Sequence, residues 1–408
     1  MKSGYKRLGN YIQLVDERNR NLEVMNLLGI SVTKNFIPSV ANIVGTDMAN
    51  YKILRKNQFA CSIMQVRRDK KMPVALYLEN EPSLISQAYP VFKIIDETFL
   101  LPEYLMMWFT RSEFDREACF LAVGGVRGSL EWEDFLNMEL PIPSLEKQKE
   151  LIEEYEAIEN RIQLNKKLCA TLEEAAQTIY EHWFEDFEFP DENGKPYKSS
   201  GGEMVECEEL GKDIPKGWRI HSLFEIVKCN QKNITSNHNL DFLNYLDTSS
   251  ITNNKISGIQ YLSVAIDEIP SRAKRIVKSK DIIYSTVRPN LKHYGIIYEV
   301  PKNFVVSTGF AVISTNEKII NAEIVYQFLT SNSVIQYLHS KAENSVTTYP
   351  SIKPEDILNL KIVLPESNKS LFSDFETIFR KIKDKTIQTQ KLEELKSLLL
   401  GKMAVENN

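Results

Sequence analysis

The sequence predicts an α+β protein built as two similar mixed α/β domains, each followed by a long helix. Three observations predict it. The two halves of the 408-residue chain match at a nearly constant offset of about 220 residues. Each half opens with short β-rich runs bounded by polar, Pro, Gly or Asn residues. Each half ends in a long segment whose apolar residues recur at alternating spacings of three and four, the heptad signal.

The duplication rests on several short correspondences in one order. Phe59-Ala60-Cys61-Ser62 aligns with Ile282-Ile283-Tyr284-Ser285, and Leu101-Pro102-Glu103-Tyr104-Leu105 with Asn321-Ala322-Glu323-Ile324-Val325. Ser129–Phe135 aligns with Ser351–Ile357, Leu140-Pro141-Ile142-Pro143 with Ile362-Val363-Leu364-Pro365, and Leu172-Glu173-Glu174 with Leu392-Glu393-Glu394. Each match is weak alone; their common order and small drift carry the inference.

In chain order, residues 1–143 form the first domain. Strands are expected at Phe59–Val66, Val74–Leu78 and Val91–Ile95, and a short helix at about 102–116. Residues 144–187 form the first long helix, with Tyr155, Ile158, Ile162, Cys169, Leu172, Ala176, Ile179 and Trp183 on its stripe. Asn165 falls on the same stripe, where a polar residue can fix register. Residues 188–215 read as a linker punctuated by Pro and Gly. Residues 216–365 repeat the domain, with strands at Ile282–Val287, Gly295–Val300 and Phe304–Ile313 and a helix at 322–339. Residues 366–408 repeat the helix through Phe375, Ile378, Ile382, Leu392, Leu399 and Met403. A helix of about 39 residues is about 60 Å long, too long for one small domain. Either each helix packs on its own domain, or the two pack on each other as a spacer; their matching length and heptads favour the spacer.

Composition is that of a globular protein, 43% hydrophobic and 26% charged. No apolar run approaches the length needed to span a bilayer, and the chain opens on polar sequence, so it is expected in the cytoplasm with no membrane partner. Five cysteines at wide spacings read as reduced structural thiols, and the five histidines show no metal-ligand spacing. No metal or cofactor is expected in this chain.

The net charge of −5 is uneven. Residues 144–215 carry 8 basic against 19 acidic side chains, whereas residues 216–365 carry 17 against 12 and residues 1–143 are balanced at 17 each. A phosphate backbone responds to the local field, not to the total.

Motifs for catalysis are missing. There is no G-x-x-x-x-G-K-[ST] loop, no G-x-G-x-x-G after a strand, no G-x-S-x-G elbow, no H-E-x-x-H and no Asn-Pro-Pro-aromatic tetrapeptide. The Glu pairs 153–154 and 173–174 read as solvated helix faces, not as acid/base dyads.

The residues that point to DNA are two basic, polar clusters beside the β-rich cores. In the first domain they are Arg55 and Lys56, then Gln65, Arg67, Arg68, Lys70 and Lys71. In the second they are Arg272, Lys274, Arg275, Lys278 and Lys280, then Ser285, Thr286, Arg288, Asn290 and Lys292. Arg matches guanine bidentately, Gln or Asn matches adenine, and Lys meets phosphate. A second repeated loop precedes the final strand of each domain, Gly124–Ser129 and Asn344–Tyr349, and supplies Arg127, Thr347 and Thr348. An ordinary solvated loop has the same composition; recurrence in both halves favours DNA. Two similar domains on a rigid spacer suit a reader of two separated half-sites.

At this point the chain resembles the specificity (S) subunits of type I restriction–modification enzymes. The resemblance covers essentially the whole length. It is carried by Leu140-Pro141-Ile142-Pro143-Ser144-Leu145-Glu146-Lys147-Gln148, by Trp183–Pro190 with Gly194–Gly202, and by Ile214-Pro215-Lys216-Gly217-Trp218. The second copy departs at Leu364-Pro365-Glu366-Ser367-Asn368-Lys369, which lacks the second Pro and the Gln. The resemblance implies two target-recognition domains separated by long antiparallel helices with pseudo-twofold duplication. It implies a non-catalytic reader of a bipartite target in double-stranded DNA. It implies two methyltransferase (modification) subunits and two restriction (translocase/nuclease) subunits as partners, which would carry S-adenosylmethionine, ATP and Mg²⁺. Two alternatives stand beside it: the specificity subunit of a type II-like enzyme, and a coiled-coil scaffold that binds only protein.

Overall fold

The computed structural model describes residues 4–40, 46–125, 128–235, 240–345, 349–366 and 370–404. The chain forms two compact units, Met1–Leu164 with Gln388–Asn408, and Asn165–Ile387.

The first unit holds strands β1 (Tyr5–Arg7), β2 (Ile12–Leu14), β3 (Leu27–Ile30), β4 (Phe36–Pro38), β5 (Lys52–Leu54), β6 (Gln58–Cys61), β7 (Val74–Tyr77), β8 (Ser83–Ile85), β9 (Val91–Ile94) and β10 (Glu139–Pro141). Its helices are α1 (Val66–Asp69), α2 (Pro102–Thr110), α3 (Ser112–Leu121), α4 (Trp132–Asn137) and the start of α5 (Leu145–Tyr180). One sheet has the order β2-β9-β6-β7, a second β4-β3-β8-β5, and β1 pairs with β10.

The second unit holds β11 (Met204–Cys207), β12 (Lys212–Pro215), β13 (Trp218–Ser222), β14 (Val227–Cys229), β15 (Phe242–Leu246), β16 (Ile251–Thr252), β17 (Lys255–Ile256), β18 (Gln260–Ser263), β19 (Ala273–Ile276), β20 (Asp281–Ser285), β21 (Tyr294–Ile297), β22 (Phe304–Ser307), β23 (Phe310–Thr315) and β24 (Lys361–Pro365). Its helices are α6 (Leu223–Ile226), α7 (Ala322–Thr330), α8 (Asn332–Glu343), α9 (Pro354–Leu358) and the start of α10 (Leu371–Lys402). The sheet orders repeat: β14-β23-β20-β21, β18-β15-β22-β19, and β13 with β24. A parallel pairing recurs as well, β3 with β8 and β15 with β22. The two units are copies of one topology. The second adds the β11–β12 and β16–β17 hairpins.

The central strands are buried on both faces, which is why they read as unbroken apolar runs. In β6, Phe59 and Cys61 face the helices while Ala60 faces the second sheet. In β20, Ile282 and Tyr284 face the helices while Ile283 faces the other way. The helix-side core of the first unit is aromatic, with Phe92 and Phe109 each in contact with Phe59, Phe135 and one another.

Three local expectations are corrected. The run Phe304–Ile313 is two strands, β22 and β23, in different sheets. The break falls at Gly309, where a Cβ would stand 2.8 Å from Thr248 Cγ2. Each single short helix is a helix pair, because Arg111 and Ser331 take extended backbone, ψ 142° and 148°. The 188–215 segment is not a bare connection. Its Phe189 and Ile214 are buried in the second unit's core beside Phe187 and Trp218, and β11 and β12 form a hairpin.

The long helices follow the heptad reading. Ile162, Asn165 and Ala176 are buried on α5, and Phe375, Ile382, Thr389 and Leu399 on α10. Within the second unit, Cys169 Sγ lies 3.7 Å from the Ile382 carbonyl and the Trp183 ring meets Phe375, so the helices run antiparallel. Within the first unit, Glu159 pairs with Lys396 at 2.7 Å, and that ammonium lies over the Tyr155 ring. Each helix is shared between the units, which divide α5 after Leu164 and α10 before Gln388.

Candidate nucleic-acid interface

In the first unit the basic loop leaves the end of β6. Gln65 is left-handed (φ 63°), α1 follows as a single turn, and Lys70 is left-handed again (φ 53°). Val66 is fully buried and pins the turn to the core, while Arg67, Arg68, Lys70 and Lys71 are exposed and Gln65 is half-buried. The second repeated loop lies directly against it. The Leu130 amide donates to the Ile63 carbonyl (2.9 Å), and the Arg67 amide to Gly128 (3.3 Å). The Arg67 guanidinium donates to the carbonyls of Ala122 (2.6 Å) and Gly124 (3.0 Å). Arg68 pairs with its neighbour Asp69 at 2.7 Å, an exposed pair of small energetic weight.

The second unit repeats this construction at the end of β20. Arg288 is left-handed (φ 48°), Pro289–Leu291 form one tight turn, and Lys292 is left-handed (φ 56°). Pro289 is the buried anchor. The Ile352 amide donates to Thr286 (2.8 Å), the Arg288 amide donates to Pro350 (3.0 Å), and Val287 bridges Ser351. The Arg288 guanidinium lies 5.6 Å from the centre of the Tyr349 ring, a cation–π contact.

The structure therefore brings the two repeated loops of each half together. Gln65, Arg67, Arg68, Lys70 and Lys71 share one surface of the first unit; Arg288, Asn290 and Lys292 share the matching loop of the second. Ser285 is buried, and its hydroxyl donates to the Val287 carbonyl. The Thr286 hydroxyl donates to Gly309. Both hydroxyls hold the loop itself. Arg275 lies elsewhere, on β19 in the other sheet, where burial lowers its guanidinium pKa and Nε has no hydrogen-bond partner. Arg127, Thr347 and Thr348 lie outside the described residues.

Two parts of this site were missed in the sequence. Tyr349 is 61% exposed beside Arg288; its signal was an aromatic residue closing the hydroxyl-rich run of the second loop. The β16–β17 hairpin clamps the far end of the Arg288 loop; its signal was the turn dipeptide Asn253-Asn254. The Asn253 amide donates to the Lys292 carbonyl (2.9 Å), and His293 Nδ1 lies 2.6 Å from the Ile251 carbonyl. Asn254 accepts from the Ile296 amide and donates to Glu173 on α5 (3.2 Å). Burial raises the Glu173 pKa.

Among the described residues no three His, Cys, Asp or Glu side chains are placed to hold a metal ion, and no helix is long and apolar enough to cross a membrane. Burial raises the thiol pKa of Cys61, Cys119 and Cys169, and pushes Cys229 up to about 11.

The family model described as type I restriction modification DNA specificity domain matches residues 41–174 and again residues 215–397. The type I restriction enzyme HindI specificity subunit of Haemophilus influenzae is 28% identical over 193 residues, 46% of this chain. That match takes in only 41% of the HindI subunit. The MjaIX specificity subunit of Methanocaldococcus jannaschii is 26% identical over 323 residues, 76% of this chain and 70% of its own length. The crystal structure of a type I restriction–modification system S subunit from M. genitalium shares the fold, with a TM-score of 0.55 at 13% identity over 98% of this chain and 96% of that one. With both halves matched and both built on the same loop pair, the chain belongs to the type I restriction modification DNA specificity family.

Proposed function

We propose that this chain is the non-catalytic DNA-recognition subunit of a type I restriction–modification complex. Each unit reads one half of a bipartite duplex target through its pair of pinned loops. The observation that carries this reading is the recurrence, in both units, of a basic loop locked to a second loop at the same place in the same topology. A scaffold that bound only protein would not need two such surfaces.

The exposed lysines Lys70 and Lys71 suit phosphate, while Gln65 and Arg288 suit base edges. Arg67 serves the loop pair, since its guanidinium is occupied by two carbonyls. The acidic 144–215 segment faces protein partners: two modification subunits, and two restriction subunits that complete the nuclease. S-adenosylmethionine, ATP and Mg²⁺ belong to those partners, and the complex acts in the cytoplasm.

Methylome sequencing tests the reading. Cells expressing the partner methyltransferase are compared with and without this chain. A split motif methylated only in its presence is expected. Co-purification of the partner without any new motif would refute the reader assignment.

A further inference from the structure

The two loop pairs share a finer equivalence than their sequences show. Gln65 and Arg288 occupy the same backbone position: each follows the exit of its central strand, each starts a short helical turn, and each is left-handed. The next residue is in both cases the buried anchor, Val66 or Pro289, and each turn closes on a left-handed lysine, Lys70 or Lys292. Left-handed backbone strains an L side chain and suits glycine. Turn geometry alone would therefore place Gly or Asn at both positions. The chain instead keeps there a primary amide and a guanidinium, the two groups that match purine edges best in the major groove.

Four of their neighbours are otherwise engaged. Arg67 holds Ala122 and Gly124, Arg68 holds Asp69, and Ser285 and Thr286 hold their own loop. Neither Gln65 nor Arg288 caps its turn with its side chain. The Arg288 guanidinium lies over the Tyr349 ring, 5.6 Å from its centre, so an aromatic neighbour holds it at the loop.

We propose that Gln65 and Arg288 are equivalent specificity-determining residues. Gln65 selects an adenine in the half-site read by the first unit, and Arg288 selects a guanine in the half-site read by the second. The proposal rests on the DNA-reading function above and adds the base chosen at one position of each half-site. The pairings follow from geometry: the Gln amide spans adenine N6 and N7, and the Arg fork spans guanine O6 and N7.

The experiment uses the full chain with its methyltransferase partner. Bound duplexes are selected from a pool randomised over both half-sites and sequenced. Arg288→Gln is expected to turn one G·C preference into A·T in a single half-site, and Gln65→Arg to do the converse in the other. Gln65→Gly and Arg288→Gly relieve the backbone and delete the side chain. They should melt at or above the wild-type temperature and lose roughly ten- to hundredfold discrimination at those same two positions. Glycine variants that kept wild-type preference at every position would overturn the proposal. So would an even loss across all sequences, which marks a phosphate contact. A wild-type complex that selected no split sequence would instead remove the reader assignment beneath it.

Discussion

Arg67 lies so close to Gly128 that a Cβ built on the glycine would stand 2.8 Å from Arg67 Cβ. The atom in the way belongs to the stem of the arginine, next to its backbone, so rotation of a side-chain end cannot relieve the clash. The same arginine donates its amide to the Gly128 carbonyl and its guanidinium to Ala122 and Gly124. The described residues of the two loops are thus tied together, with a glycine at the seam.

Gly128→Ala should therefore push the loops apart. The expected cost is about 1–3 kcal/mol, as for other over-packed sites. Urea denaturation of the full chain reads the cost, and selection from a randomised duplex pool should show relaxed preference in one half-site only. Unchanged stability together with unchanged selectivity would show that the seam is loose.

Gln148 is fully buried at the start of α5. Its Oε1 accepts from the Leu101 amide (2.9 Å), and Nε2 donates to the carbonyls of Phe99 (2.8 Å) and Pro143 (2.9 Å). Gln148→Ala leaves three backbone groups without partners, a loss on the order of 2–4 kcal/mol. A fall of under about 1 kcal/mol in the unfolding free energy would mean that water replaces the amide.

The second half shows why such details are hard to read in advance. It lacks the glutamine, and the sequence shows only a departure from the pattern. The structure reverses the direction of the tie: Asn321, which begins α7, donates to the Phe372 carbonyl at the start of α10 (3.0 Å). The same junction is held from opposite sides in the two copies. The duplication, the heptads and the short β-rich runs were legible because periodicity and recurrence are one-dimensional. The switch of sheet at Gly309 and the helix breaks at Arg111 and Ser331 were not, because close backbone approach and extended ψ leave no periodic trace. Within the site, the basic clusters were visible as composition. The commitment of Arg67 to carbonyls, and the separation of Arg275 onto another sheet, depend on contacts remote in sequence.

Glu173 gives a pH-dependent test. Burial raises its pKa above the usual carboxylate value, outweighing the lowering effect of the Asn254 hydrogen bond and of Lys255. A carboxyl with a raised folded-state pKa binds its proton more tightly when folded. Its penalty is absent below the unfolded value, grows as pH rises toward the folded value, and is complete above it. Glu173→Gln keeps a partner for Asn254 and removes the charge. The variant should melt higher than wild type at pH 7, and the difference should vanish as pH falls to about 4.5. A difference that persists at low pH would assign the effect to packing instead of ionisation.

The final test separates lysines from the occupied arginine. Lys70 is exposed at the close of the first loop, and Lys292 is half-buried at the close of the second. Each ammonium that neutralises a phosphate releases counterions, so its removal lowers the slope of log affinity on log salt by about 0.9–1. Lys70→Gln and Lys292→Gln should each do so, and should weaken cognate and random duplex alike. Arg67→Gln should change the slope far less, because two of its guanidinium N–H groups are already given to the Ala122 and Gly124 carbonyls. It should instead loosen the seam with Gly128 and cost discrimination in one half-site. Titrations at four or five salt concentrations decide between the two roles: a slope that falls for Arg67→Gln and holds for the lysine variants would reverse the assignment of phosphate contacts.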